Sequence, residues 1–153
     1  MIVTAYIDGG ARKNPGPAGW GAYILSADGA VLAELHGALG IATNNVAEYN
    51  GLLGALDWAI ANGVTRLDIK ADSLLLVEQM KGNYKVKNEG LKPLHARARL
   101  AAAKLGRVTY THVPREQNKD ADRLSNVGMD LSERGAGSER GAEGQSGKGA
   151  EKR

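Results

Sequence analysis

The sequence has no cysteine and no phenylalanine, and aromatic residues make up only 5% of its 153 positions. Without thiols there is neither a disulfide nor a thiolate metal site, so any bound metal must be held by oxygen or imidazole. With so few aromatic rings, base stacking cannot dominate contact with a nucleic acid, and groove and phosphate contacts would have to. No run of roughly 18 apolar residues occurs, so no membrane-spanning helix is expected. No basic segment followed by an apolar stretch opens the chain, so a secretory signal is not read and a cytoplasmic location is the default expectation. Net charge is also small: at +3 it permits a polyanionic partner without arguing for one. From Ser132 to Arg153 there is no Val, Ile, Leu or aromatic residue. Such a segment cannot offset its ordering entropy by burial, so 132–153 is expected to be a disordered tail behind one folded domain, 1–131.

Within that domain the hydrophobic pattern changes period several times. Ile2–Asp8 is β-branched and apolar on both faces, as a central strand would be; Trp20–Ser26 and Val31–Leu39 read as two more strands, with a turn at Ala27-Asp28-Gly29. Thr43–Asn62 carries apolar residues at helical spacing, capped by Thr43 or Asn44 and stopped by Gly63. A short strand, Arg66–Ala71, follows, then helices over Ser73–Lys81 and Asn88–Leu105, the latter starting near Leu91 because Pro93 falls in its first turns. Arg107–Val113 is a fifth strand and Asn118–Met129 a last amphipathic helix. Strands that follow a helix must cross over to pair in parallel. The order therefore predicts an α/β fold: a mixed five-stranded sheet with helices on its faces and a site at the carboxyl ends of the parallel strands.

Acidic residues fall at that edge. Asp8 ends the first strand in IDGGARKNPGPAGWG, and Asp72 directly follows the fourth. The glycine-rich stretch is no phosphate-binding P-loop, since it lacks the Gly-Lys-Ser/Thr ending and leads into a strand rather than a helix. Asp72, taken alone, reads as an N-cap. Glu48 shares a helix row with Leu52, Ala55 and Ala59, a row that should face the sheet, so its carboxylate needs a partner there. Asp122 flanks the Ala121, Leu124 and Gly128 stripe of the last helix; on its own it reads as a solvated charge or a partner for Arg123. Four converging carboxylates without cysteine suit a hard cation such as Mg²⁺, and two such ions can stabilise both the attacking and leaving oxygens of a phosphoryl transfer.

The motifs IDGGARKNPGPAGWGAYI, TNNVAEYNGLLGAL, IKADSLLLVEQMKGNYKVKN and HVPREQNKDADRLSN, in this order, resemble type 1 ribonuclease H over about residues 1–129. The resemblance implies the ribonuclease H-like fold, with strand order 3-2-1-4-5 and helices on both faces. It implies a monomeric endonuclease that cuts the RNA strand of an RNA/DNA hybrid, leaving 5′-phosphate and 3′-hydroxyl ends. Asp8, Glu48, Asp72 and Asp122 match the family's metal-binding carboxylates, expected to take two Mg²⁺ ions, or Mn²⁺ in their place, with substrate bound. Glu48 would also lie near the 2′-hydroxyl that separates RNA from DNA. His112 matches a histidine of the family proposed to move protons or assist product release, and Arg115 is the alternative basic residue nearby. A polar end to the fifth strand is the plainer reading of His112. Thr43, Asn44 and Asn45 match the segment that grips the hybrid; Thr43 and Asn14 match a phosphate pocket for the DNA strand. Capping and turn formation explain the same residues without a ligand. Gly9 and Gly10 carry no side chains and would let the RNA backbone approach Asp8.

The chain departs from the family's longest forms, because GNYKVKNEGLKPL joins two helices directly and leaves no room for a basic protrusion. Tyr84, Lys85 and Lys87 are the candidates for the missing backbone contact. Leu74 and Glu78 stand where some relatives place glutamine on RNA. Two other readings stay open: a non-catalytic hybrid-binding module, which would have lost carboxylates, and a nuclease of the same fold acting on DNA junctions or as an integrase.

Overall fold

The computed structural model describes residues 1–135. Strand β1 (Ile2–Ala11) pairs antiparallel with β2 (Gly16–Ser26), which pairs antiparallel with β3 (Val31–Ala42). All three are longer than the hydrophobic pattern predicts. The β1–β2 ladder continues from Asp8 opposite Gly21 to Ala11 opposite Ala18, so most of the glycine-rich stretch is sheet and only residues 12–15 turn. Glycine contributes no side chain to a period-two pattern, which is why these strand ends do not show in the sequence.

Then come α1 (Asn44–Ala61), β4 (Arg66–Ala71), α2 (Leu74–Lys81), α3 (Lys92–Ala103), β5 (Arg107–His112), a single 3-10 turn (Arg115–Gln117) and α4 (Lys119–Gly135). The strands order as β3-β2-β1-β4-β5, with β1, β4 and β5 parallel, as expected. Helix α3 starts at Lys92 rather than Asn88: Pro93 sits in its first turn, where a missing N–H costs nothing.

The two faces of the sheet are packed differently. Val3, Ala5 and Ile7 of β1 join Leu52, Leu56 and Ala59 of α1, Leu67 and Ile69 of β4, and Leu76, Val77 and Leu91 in the main core. Helix α4 covers the opposite face, laying Ala121, Leu124, Ser125, Gly128, Met129 and Ser132 on β2, β3 and β1. Small residues let it sit very close. A Cβ on Gly21 would lie 2.6 Å from the Ala121 carbonyl oxygen, and one on Gly128 2.2 Å from that of Gly37.

The end of α4 corrects the expected domain boundary. Residues 132–135 continue the helix instead of starting a tail. Ser132 is only 4% exposed. Its hydroxyl donates to the Ala18 carbonyl at 2.5 Å and accepts from the Leu39 and Gly40 amides at 3.1 and 3.0 Å. It is anchored by hydrogen bonds, which a count of apolar residues does not register. The rest of the expected tail, 136–153, lies outside the described residues.

Replacing Gly128 with Ala weighs two opposed effects. Alanine favours helix by about 1 kcal/mol, while overpacking typically costs about 1–3 kcal/mol or more. Backbone atoms on both sides leave little room to relax, so Gly128→Ala should lower stability by about 2 kcal/mol in urea denaturation. A stabilised variant would mean that α4 is not seated on the sheet this way.

Candidate active site

Beyond the pair Ile7–Ala71, β4 ends while β1 runs on. Asp8 thus sits on the central strand just where one of its edges opens. Asp72 follows β4 at that opening, and Glu48 lies in the second turn of α1. Oxygens of Asp8, Glu48 and Asp72 lie within 4.8 Å of one another.

The approach of α1 is what brings Glu48 there. A Cβ on Gly9 would fall 2.2 Å from the Ala47 carbonyl carbon and 2.5 Å from the Glu48 nitrogen; one on Gly51 would fall 2.8 Å from the Asp8 carbonyl oxygen. Helix and strand therefore meet backbone to backbone. The space left by Gly9 is filled by α1, while a Cβ on Gly10 would only make ordinary contact with the Met129 side chain at 3.4 Å.

Asp72 is not the cap of α2. That role belongs to Ser73, whose hydroxyl accepts from the Leu76 amide at 3.2 Å. Asp72 instead accepts a hydrogen bond from the Asn118 side-chain amide at 3.3 Å, and the same nitrogen donates to the Ile7 carbonyl at 2.9 Å. Asn118 is 1% exposed, and its Oδ1 is a buried oxygen without a hydrogen bond. It ties the carboxylate of Asp72 to the central strand. In the sequence it reads only as a helix start; a lone asparagine just before an amphipathic helix carries no stronger signal.

The electrostatics are unfavourable as they stand. Burial, then the charge of Asp72 and the nearby Asp122 carboxyl, push Asp8 up to about 7, against a single stabilising bond from the Gly9 amide at 2.9 Å. Burial, then the charges of Asp8 and Asp72, raise Glu48 well above the ordinary carboxylate range. No ion pair joins any of the three to a Lys, Arg or His among the described residues. A compact, all-oxygen, uncompensated set of this kind fits a hard divalent cation.

Asp122 stands at the rim. It is exposed on α4 and outside the tight group, although its carboxyl acts on Asp8. It does not pair with Arg123, which binds Glu34 at 2.7 Å and Asp120 at 3.3 Å. His112 is exposed at the end of β5, level with Ala71, and Arg115 is exposed in the 3-10 turn. No hydrogen bond or ion pair connects either to the carboxylates. Tyr84, Lys85 and Lys87 are exposed on the connection between α2 and α3.

The start of α1 has been partly used up by the fold. Thr43 is the N-cap, accepting from the Val46 amide at 3.2 Å. Asn14 accepts from the Asn44 amide at 3.0 Å, and the Asn44 side-chain oxygen accepts from the Ala11 amide at 2.8 Å. These bonds lock the β1–β2 turn to the helix end. They use the oxygens and leave the Asn14 and Asn44 side-chain amides, the Thr43 hydroxyl and exposed Asn45 as donors.

Comparison with known proteins returns a consistent picture. A family model described as "Reverse transcriptase-like" matches residues 6–128. A bifunctional protein of Mycobacterium tuberculosis is 48% identical over 137 residues, 89% of this chain. The chain spans only 38% of that relative's length. The solved N-terminal RNase H domain of the same mycobacterial protein superposes with a TM-score of 0.86 at 47% identity, covering 89% of this chain and 99% of that one. Ribonuclease HI of Halobacterium salinarum is 39% identical over 84% of this chain and 64% of its own. LC11-RNase H1, solved in complex with an RNA/DNA hybrid, gives a TM-score of 0.81 at 38% identity, covering 85% and 98% of the two chains.

The raised carboxylates make a stability prediction with a definite sign. Between the unfolded value near 3.8 and the folded value near 7, native Asp8 holds more proton than unfolded Asp8. Stability from this group is therefore full below about pH 4 and lost as pH rises through about 7. In EDTA, Asp8→Asn should melt higher than the native protein at pH 8, by roughly 5 °C, and the gap should shrink toward pH 4. A gap independent of pH would mean that repulsion at Asp8 is not what destabilises the metal-free fold.

Proposed function

The chain belongs to the type 1 ribonuclease H family, and from that premise we propose that it is a metal-dependent endonuclease cutting the RNA strand of an RNA/DNA hybrid. The proposed products carry 5′-phosphate and 3′-hydroxyl ends. The convergence of Asp8, Glu48 and Asp72 within 4.8 Å, without a cationic partner among the described residues, is the observation that carries the reading.

In this reading Asp8, Glu48 and Asp72 hold Mg²⁺, or Mn²⁺ in its place, and Asp122 completes the binding of a second ion from the rim. Bound there, the two ions would supply positive charge to the attacking and leaving oxygens of the scissile phosphate. The protein's own part is orientation. Asn118 keeps the Asp72 carboxylate turned toward the cluster by holding it to β1. Glu48, on the helix face nearest Asp8, is the group set beside the 2′-hydroxyl, which would confine cleavage to RNA. His112, exposed at the end of β5, is the group assigned to the departing product, and Arg115 beside it, always charged, is the alternative that would attract its phosphate.

Substrate grip follows from the free donors. The Asn44 and Asn45 amides suit the minor groove. The Thr43 hydroxyl and the Asn14 amide sit at a helix N-terminus, where phosphate is favoured. Tyr84, Lys85 and Lys87 meet the duplex backbone. With a net charge of only +3, affinity must come from such local groups, not from the overall field. Among the described residues no helix is long and apolar enough to cross a membrane.

The reading is tested by offering labelled RNA/DNA hybrid, double-stranded RNA and double-stranded DNA with Mg²⁺ or Mn²⁺. Only the hybrid should be cut, and only in its RNA strand. Asp8→Asn should lower the rate by about a thousandfold or more, because several kcal/mol of charge stabilisation is lost, while remaining folded. Binding of the hybrid with no cleavage under either metal would point to a non-catalytic binding module. Equal cleavage of double-stranded DNA would point to a different nuclease of this fold.

A further inference from the structure

The segment between α2 and α3 has no regular structure from Gly82 to Leu91, yet it presents the exposed Tyr84, Lys85 and Lys87. No ion pair engages either lysine among the described residues. Cations on an irregular connection bind weakly unless something has already ordered it, because ordering is otherwise lost from the binding energy.

Several contacts order this one. Gly82 turns the chain in the left-handed region at φ 85°. The Asn83 and Tyr84 amides both donate to the Glu78 carbonyl, at 2.9 and 3.2 Å. Val86 turns inward onto the core between the two lysines. Deeper lies Gln79, 4% exposed, whose side-chain nitrogen donates to the Lys85 carbonyl at 3.4 Å. Its side-chain oxygen accepts from the Tyr49 hydroxyl of α1 at 2.6 Å, and Tyr49 is 1% exposed. His95 of α3 stands edge-on to Tyr49, ring centroids 6.3 Å apart, with Nε2 3.3 Å from the Gln79 backbone carbonyl.

Gln79 thus joins three helices to one loop carbonyl. Packing alone does not require an amide here. Leu76 and Val77 already bury the inner face of α2, and an apolar residue would fill the same volume. A buried amide is costly unless both of its ends are bonded. Tyr49 satisfies one end, which leaves the other directed at Lys85.

We propose that Gln79, oriented by Tyr49, is a positioning residue for substrate binding: it fixes the Lys85 carbonyl and so holds the Lys85 and Lys87 side chains outward against the phosphates of the duplex. The inference rests on the hybrid-cleaving reading and adds the device that replaces a dedicated basic protrusion.

The test is steady-state cleavage of a hybrid by the full chain over a range of salt concentrations. Tyr49→Phe combined with Gln79→Met removes both polar partners at nearly constant volume and orphans neither. KM should rise about threefold to tenfold with kcat within about twofold, and the salt dependence of KM should weaken by up to about one unit of slope per cation lost. Lys85→Ala with Lys87→Ala should raise KM in the native background and add little to the Tyr49/Gln79 variant. If that variant does not fold, Tyr49→Phe alone, which leaves Gln79 without the donor that orients it, should show a smaller KM rise of the same kind. An unchanged KM in either variant, a parallel fall in kcat, or fully additive lysine losses would overturn the inference. A native protein that does not cut the hybrid would instead defeat the functional reading.

Discussion

Three carboxylates within 4.8 Å of one another, with no ion pair to a cationic side chain among the described residues, are the constraint around which this fold is built. Left in water they would separate. They are held by close backbone contact: Gly9 and Gly51 let α1 rest directly on β1, so that Glu48 has nowhere to go but toward Asp8. Asp72 is fixed from the other side by the buried amide of Asn118, which bonds the central strand with the same nitrogen. The raised proton affinities of Asp8 and Glu48 express the energy stored in that arrangement. In the proposed function, bound divalent cations would offset it.

Substrate contact is organised differently. The carboxylates sit on rigid elements, a strand edge and a helix packed onto it. The donors proposed to hold the duplex sit on helix ends and a connecting loop, and several are stiffened by a bond that does not use the free donor. Asn14 closes onto the Asn44 amide, Thr43 caps α1, and Gln79 holds the Lys85 carbonyl. A weakly basic chain with few aromatic rings needs such prior ordering more than a strongly cationic one does.

Much of this was legible in the sequence. The order of strands and helices followed from changes in hydrophobic period, and the exposure of Glu48 to the sheet followed from its row with Leu52, Ala55 and Ala59, all buried in the structure. What was not legible came from residues whose role is expressed through backbone or hydrogen bonds. The glycine-rich strand ends show no periodicity. Gly9 reads as clearance for a ligand until α1 is seen occupying the space. Ser132 reads as the start of a tail until its hydroxyl is found bonded to β2 and β3. Asn118 and Gln79 read as ordinary helix residues, because neither local propensity nor spacing records a partner distant in sequence.

The central claim, that the cluster is strained by its own charge and completed by cations, is tested most directly by counting protons. Calorimetric titration with Mg²⁺ in buffers of different ionisation enthalpy measures proton release on binding. The account predicts release of roughly half to one proton per protein near pH 6.5, declining as pH rises through about 7 and Asp8 loses its proton without the metal's help. Mg²⁺ binding that releases no proton anywhere across that range would contradict it.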